Sequence, residues 1–199
     1  MADTRALIRA CLAETARVHT ALAAEPLEAV AKAAEAMTQA LRNGHKIIWF
    51  GNGGSATQSQ HMAAEFVGRF QRERRSLPSI SLTENMASVT AIGIDYAYEQ
   101  IFSRQLEGLA QRGDVAVGLS TSGNSPNVLR ALRRAGELHV PTIGLTGGSG
   151  GQMAAVCDLC IRVPSTVTAR IQEVHLTIGH ILCGLIEHAL YPATASRAR

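Results

Sequence analysis

The sequence predicts an α/β fold, a three-layer sandwich in which a five-stranded parallel sheet is covered on both faces by helices. Three observations carry that prediction. From Lys46 onward, short apolar runs alternate with longer stretches of helical periodicity, as repeated strand and helix units require. Runs such as Ile47-Ile48-Trp49-Phe50 and Val115 to Leu119 carry no charge, which suits strands buried on both faces. Two of them end in turns rich in glycine or serine that lead straight into a helix, and right-handed crossovers bring such turns to one end of the sheet, where ligands bind.

Two helices come before the sheet. Thr4 to Leu22 and Glu25 to Leu41 repeat apolar residues at helical spacing, with alanine prominent, and Asn43-Gly44 is a helix stop. Because they lie outside the alternating core, their small-residue faces are available to pack on a second copy as a helix bundle. The first strand, Ile47 to Phe50, runs into Gly51-Asn52-Gly53-Gly54-Ser55, where all three glycines are expected to give positive φ or close backbone approach. A helix from about Ser55 then carries His61 and Glu65. After Pro78 come a short strand, Ser79 to Leu82, and a helix, Asn85 to Ile92, with Asp95 expected to cap a further helix, Tyr96 to Leu109. The third strand, Val115 to Leu119, ends in Ser120-Thr121-Ser122-Gly123-Asn124-Ser125, and Pro126 opens the helix Asn127 to Leu138 as a tolerated first residue. Thr142 to Leu145 is the fourth strand, and the glycine run 147–151 reads as a connector because it has few side-chain donors. Met153 to Val156 is a short helix, Cys157 to Val163 a fifth strand stopped by Pro164, and Thr168 to Tyr191 the longest helix. One domain over 1–199 follows, with N-terminal helices at 1–43, the α/β core at 44–191 and a frayed tail at 192–199.

Composition narrows the function classes. With 46% hydrophobic and 18% charged residues, 199 residues build one good core. A formal charge of +3, with both signs interspersed, argues against nucleic acid and membrane surfaces as partners. No apolar stretch suits a transmembrane span, and the N-terminus has no signal-peptide core, so a cytoplasmic location is expected. Arg69, Arg72, Arg74 and Arg75 form the densest basic cluster and read as a solvated helix end. Cys157 and Cys160 make a C-x-x-C with no second pair to complete a zinc site, so two buried thiols are expected.

The turns carry the chemistry. The first matches neither the dinucleotide nor the triphosphate glycine pattern. The helix beginning there still aims free N–H groups and a positive dipole end at its occupant, so an anion is the expected guest. The turn from Ser120 to Ser125 offers four hydroxyls where a helix cap needs one, which points to an oxyanion site built without fixed charge. His61 and Glu65, four apart, share a helix face, and Gln172, His175 and His180 stand on the last helix. Imidazoles and a carboxylate together make either a zinc site or a general acid and base pair.

The segments GNGGSA with QHMAAEFVGRF, VTAIGIDYAYE, STSGNSPNVLRAL and TARIQEVHLTIGHILCGLIE, in that order, resemble the phosphoheptose isomerases of the sugar isomerase (SIS) domain family, whose sheet is flavodoxin-like. The resemblance runs from the N-terminal helices to about Glu187. It implies an aldose-ketose isomerisation, sedoheptulose 7-phosphate to D-glycero-D-manno-heptose 7-phosphate through an enediol, the first step toward ADP- or GDP-heptose and lipopolysaccharide core. By the same resemblance Glu65 is the catalytic base and His180 its acid and base partner. Asn52, Gly53, Ser55, Arg69, Asn85, Asp95, Ser120, Thr121, Ser122, Asn124, Ser125 and Gln172, with Glu65, contact the sugar phosphate. One zinc per subunit is held by His61, Glu65, Gln172 and His180, and the protein assembles as a homotetramer with active sites between subunits. Asn85-Met86 departs from the pattern of an acidic residue followed by a small one. The competing expectation is a non-catalytic SIS tetramer resembling the replication-initiator-binding homologues, which lack the catalytic Glu and His that this sequence has at Glu65 and His180. A sugar-phosphate-sensing regulator would need a DNA-binding segment that the sequence does not show.

Overall fold

The computed structural model describes residues 3–192, so the expected tail lies, beyond Pro192, outside the described residues. Five parallel strands, β1 (Ile47–Gly51), β2 (Ser79–Ser81), β3 (Val115–Leu119), β4 (Thr142–Gly147) and β5 (Leu159–Val163), form one sheet in the order β2-β1-β3-β4-β5. Every residue of β1, β3 and β4 is buried, as their uncharged sequences require. Alternate side chains serve opposite faces. Ile47, Trp49, Val115 and Val117 pack under α1 (Thr4–Ala23), α2 (Glu28–Arg42), α3 (Gly54–Val67) and α7 (Thr168–Leu190). Ile48, Phe50 and Ala116 pack under α5 (Ser103–Leu109) and α6 (Pro126–Glu137). The chain leaves β1 to one side and β3 to the other, so the sheet has its topological switch between these two adjacent strands, and a ligand crevice belongs beyond their carboxyl ends.

Three expectations change in detail. Glu25 does not begin the second helix; α2 starts at Glu28, after Pro26. Asp95 is not a cap but the last residue of α4 (Met86–Asp95), which Asn85 caps by accepting from the Ser88 N–H at 3.0 Å. The single helix expected from Tyr96 to Leu109 is instead a 3₁₀ turn, Tyr98–Gln100, followed by the shorter α5. Helix α4 has no buried residue at all, although its sequence MASVTAIGID is apolar; Met86 and Ile94 are exposed, as are Leu7, Ile8 and Leu12 on α1. No helix among the described residues is long and apolar enough to cross a membrane.

Candidate active site

The two predicted turns meet at the switch point. Gly51 and Leu119 are paired across β1 and β3, so the segments that follow them, 52–55 and 120–125, leave the sheet side by side. Among the glycines of the first turn only Gly53 takes a positive φ, 54°; Gly54 instead abuts the Gln172 amide, and Gly51 ends the strand tightly against Ser55. Asn52 and the buried Asn127 exchange two side-chain amide hydrogen bonds of 2.8 Å, and Asn52 Oδ1 also accepts from the Tyr98 hydroxyl. Asn127, which sequence reasoning missed, ties the first turn to the start of α6.

In the second turn the Ser120 and Ser125 hydroxyls lie 2.9 Å apart, and Ser120 and Ser122 3.5 Å apart. Ser125 occupies the N-cap position of α6 yet caps nothing with its side chain, so the ordinary structural explanation for a serine here does not apply. The Ser122 hydroxyl accepts from the Asn124 N–H. Below the turn, the glycine segment expected to be a connector is a brace. Gly147 N–H donates to Thr121 O, Met153 N–H to Gly123 O, and Gln152 N–H to the Asn124 side chain. His175, a candidate for chemistry from sequence, is 1% exposed and 3.2 Å from the Thr146 carbonyl. Burial pushes its imidazole down to about 4 although that carbonyl contact works the other way, so near neutral pH it is an uncharged support for the end of β4.

Helices α3 and α7 supply the titratable cluster. His61 Nε2 and His180 Nε2 are 2.9 Å apart, and His61 Nε2 is 3.4 Å from Glu65 Oε1. The helices can approach this closely because residue 179 is glycine: a Cβ there would collide with the Met62 sulfur, one residue from His61 on α3. Ligand atoms of His61, Glu65 and His180 all lie within 4.8 Å of one another. Two imidazoles and a carboxylate in that arrangement fit the three protein ligands of an open zinc site. Gln172, the fourth expected ligand, is not brought to them. Its side chain meets Gly54 at the opposite end of α3, about 10 Å along the helix from His61 at 1.5 Å per residue.

Other expected residues stand apart within this chain. Arg69 stands beyond the end of α3 at Val67, and its guanidinium lies 3.5 Å from exposed Glu73. Asn85 and Asp95 line a separate cleft of about 650 Å³ between α4 and α5, together with Arg104 and Tyr96. The basic cluster is also not all solvated, since the Arg74 side chain is 1% exposed and paired with Glu187 at 2.9 Å. Cys157 and Cys160 are half-buried rather than buried, and Cys157 precedes β5.

The strand order, the serine turn and the His-Glu-His cluster define a parallel α/β protein with a hydroxyl-rich turn at its switch point and a metal- or proton-handling cluster between two helices. The chain belongs to the SIS domain family, whose sequence model matches residues 12–147. It is 56% identical to a phosphoheptose isomerase of Rhodospirillum rubrum over 162 residues, 81% of this chain and 86% of that protein. A phosphoheptose isomerase of Burkholderia pseudomallei is 47% identical over 182 residues, 90% and 92% of the two chains. The structure of phosphoheptose isomerase from Neisseria gonorrhoeae has a TM-score of 0.88 at 40% identity, covering 93% of this chain and 99% of that one. Within the SIS family, the chain sits among the phosphoheptose isomerases.

Proposed function

We infer that the protein is an aldose-ketose isomerase that converts sedoheptulose 7-phosphate to D-glycero-D-manno-heptose 7-phosphate. The observation that carries the reading is the pairing of a cap-free serine turn with a carboxylate and two imidazoles in one crevice-forming fold whose relatives bear that activity. They favour it over the non-catalytic SIS alternative. The turn 120–125, with Ser55 at the start of α3, holds the phosphate through hydroxyl and amide donors. Binding this remote group orients the reacting carbons.

Glu65 removes the proton from C1 of the ketose. The C1–H electron pair becomes the C1–C2 double bond, and the C2 carbonyl oxygen takes a proton, giving the enediol. Loss of the C1 hydroxyl proton and return of a proton to C2 complete the aldehyde. His180, beside Glu65, moves protons at the two oxygens. His61, Glu65 and His180 are the residues that would hold zinc, which when bound supplies Lewis-acid stabilisation of developing negative charge on oxygen. Assembly as a homotetramer with sites between subunits is supported by two features. The apolar faces of α1 and α4 are exposed, and Gln172, Asn85 and Asp95 lie away from the cluster within one chain, where a neighbouring subunit would complete the set. The test is turnover of sedoheptulose 7-phosphate by purified protein. Glu65→Gln is expected to abolish turnover while substrate binding persists, and full activity in that variant would remove Glu65 from the role of base.

A further inference from the structure

We propose that Phe70 is a positioning residue for His180, held against the imidazole by a buried clamp in which Glu187 and Arg74 tie the end of α3 to α7. This rests on the isomerase reading, in which His180 transfers protons.

Glu187 lies seven residues after His180 on α7 and is 2% exposed. Both carboxylate oxygens are fully used. Oε1 accepts from the Phe70 N–H at 3.0 Å and Arg74 Nε at 2.9 Å; Oε2 accepts from the Gln71 N–H at 2.9 Å and the Arg72 N–H at 3.0 Å. Burial works to raise this carboxyl, but the three amides and the guanidinium outweigh it and hold it below the usual carboxylate range. With its four lone-pair directions occupied, Glu187 is not available as a ligand or a base; its task is to shape 70–72. Arg74 completes the clamp. Its remaining N–H groups donate to the carbonyls of Glu65 and Phe66 at 2.8 Å and of Gly68 at 3.1 Å, closing the C-terminal end of α3 with a positive charge where the helix dipole favours one.

The segment fixed in this way presents Phe70. Its ring stacks on the His180 imidazole, with centroids 5.3 Å apart and planes at 19°, while His61 meets the same imidazole edge-on at 74°. Gly184, one turn after His180 on α7, borders the Phe70 ring, and a Cβ there would meet it at an ordinary contact distance of 3.8 Å. His180 is therefore gripped on a face by Phe70 and at its Nε2 by His61, and removing the ring frees the imidazole to rotate.

Steady-state kinetics with sedoheptulose 7-phosphate tests this in Phe70→Ala, Phe70→Tyr, Glu187→Gln and Glu65→Gln. Phe70→Ala is expected to lower kcat about tenfold or more with KM within about twofold, since misplacing a catalytic group by an ångström costs on that scale. Phe70→Tyr, which keeps the stacked ring, is expected to restore kcat to within about threefold. Glu187→Gln should follow Phe70→Ala; because it can also unfold the protein, Phe70→Ala, which leaves the buried pair intact, is the deciding variant. Wild-type kcat in Phe70→Ala, or no rescue by Phe70→Tyr, overturns the proposal. If instead Glu65→Gln is fully active, the isomerase assignment of the cluster fails, an outcome separate from the behaviour of Phe70.

Discussion

At the scale of single residues, what separates functional from supporting groups is environment rather than type. Of the three candidate histidines on α3 and α7, His61 and His180 face each other between the helices, while His175 is sealed against the end of β4. Sequence periodicity placed all three on the right helices, and could not reveal which was buried, because that depends on β4 crossing under α7. The low pKa of His175 has a consequence for stability. Its folded-state value, about 4, lies below the ordinary 6.5, so its neutral form contributes stability that is complete above about pH 6.5 and lost as pH falls toward 4. Urea unfolding of wild type and His175→Leu should show wild type losing on the order of 3 kcal/mol more than the variant over that interval. Parallel pH dependences would place the acid sensitivity elsewhere. For the metal, chelation followed by metal analysis should remove about one zinc per subunit and most activity; unchanged turnover in metal-free protein would exclude zinc from the mechanism.

Elements position these residues through close approaches that carry little signal in one sequence. The strand and helix order, and the serine turn, were legible because charge-free runs and hydroxyl-rich junctions are local patterns. Gly179 was not, since its role depends on the Met62 sulfur opposite it on another helix. Nor was Arg74, which sits in a charged run that reads as solvent-exposed until Glu187, more than a hundred residues later, is placed beside it. The bracing of the serine turn by 147–153 was equally hidden, because its donors are backbone N–H groups, which every sequence has. Gly179→Ala tests the helix contact directly. Forcing a methyl between α3 and α7 is expected to destabilise the protein by about 1–3 kcal/mol and to weaken zinc binding in the same variant. Wild-type stability and metal affinity would mean that the two helices adjust freely.

For the whole molecule, one chain shows an incomplete surface. An apolar helix, α4, with Ile94 84% exposed and no residue buried, is a poor end state for a protein in water unless another copy covers it. On the proposed tetrameric assembly, Ile94→Arg is expected to shift the sedimentation profile toward smaller species and to lower activity with it. A variant that stays tetrameric would show that α4 lies outside the interface, and fully active smaller species would show that each site is complete within one chain.

Glu65 is the group proposed to move a proton between C1 and C2. The most direct test of that role is turnover of sedoheptulose 7-phosphate in D₂O, with the heptose product analysed for deuterium at C2. Proton transfer through Glu65 predicts deuterium at C2 in the wild-type product to the extent that the abstracted proton exchanges with solvent before it returns, and no product from Glu65→Gln; product formed by Glu65→Gln at the wild-type rate would contradict it.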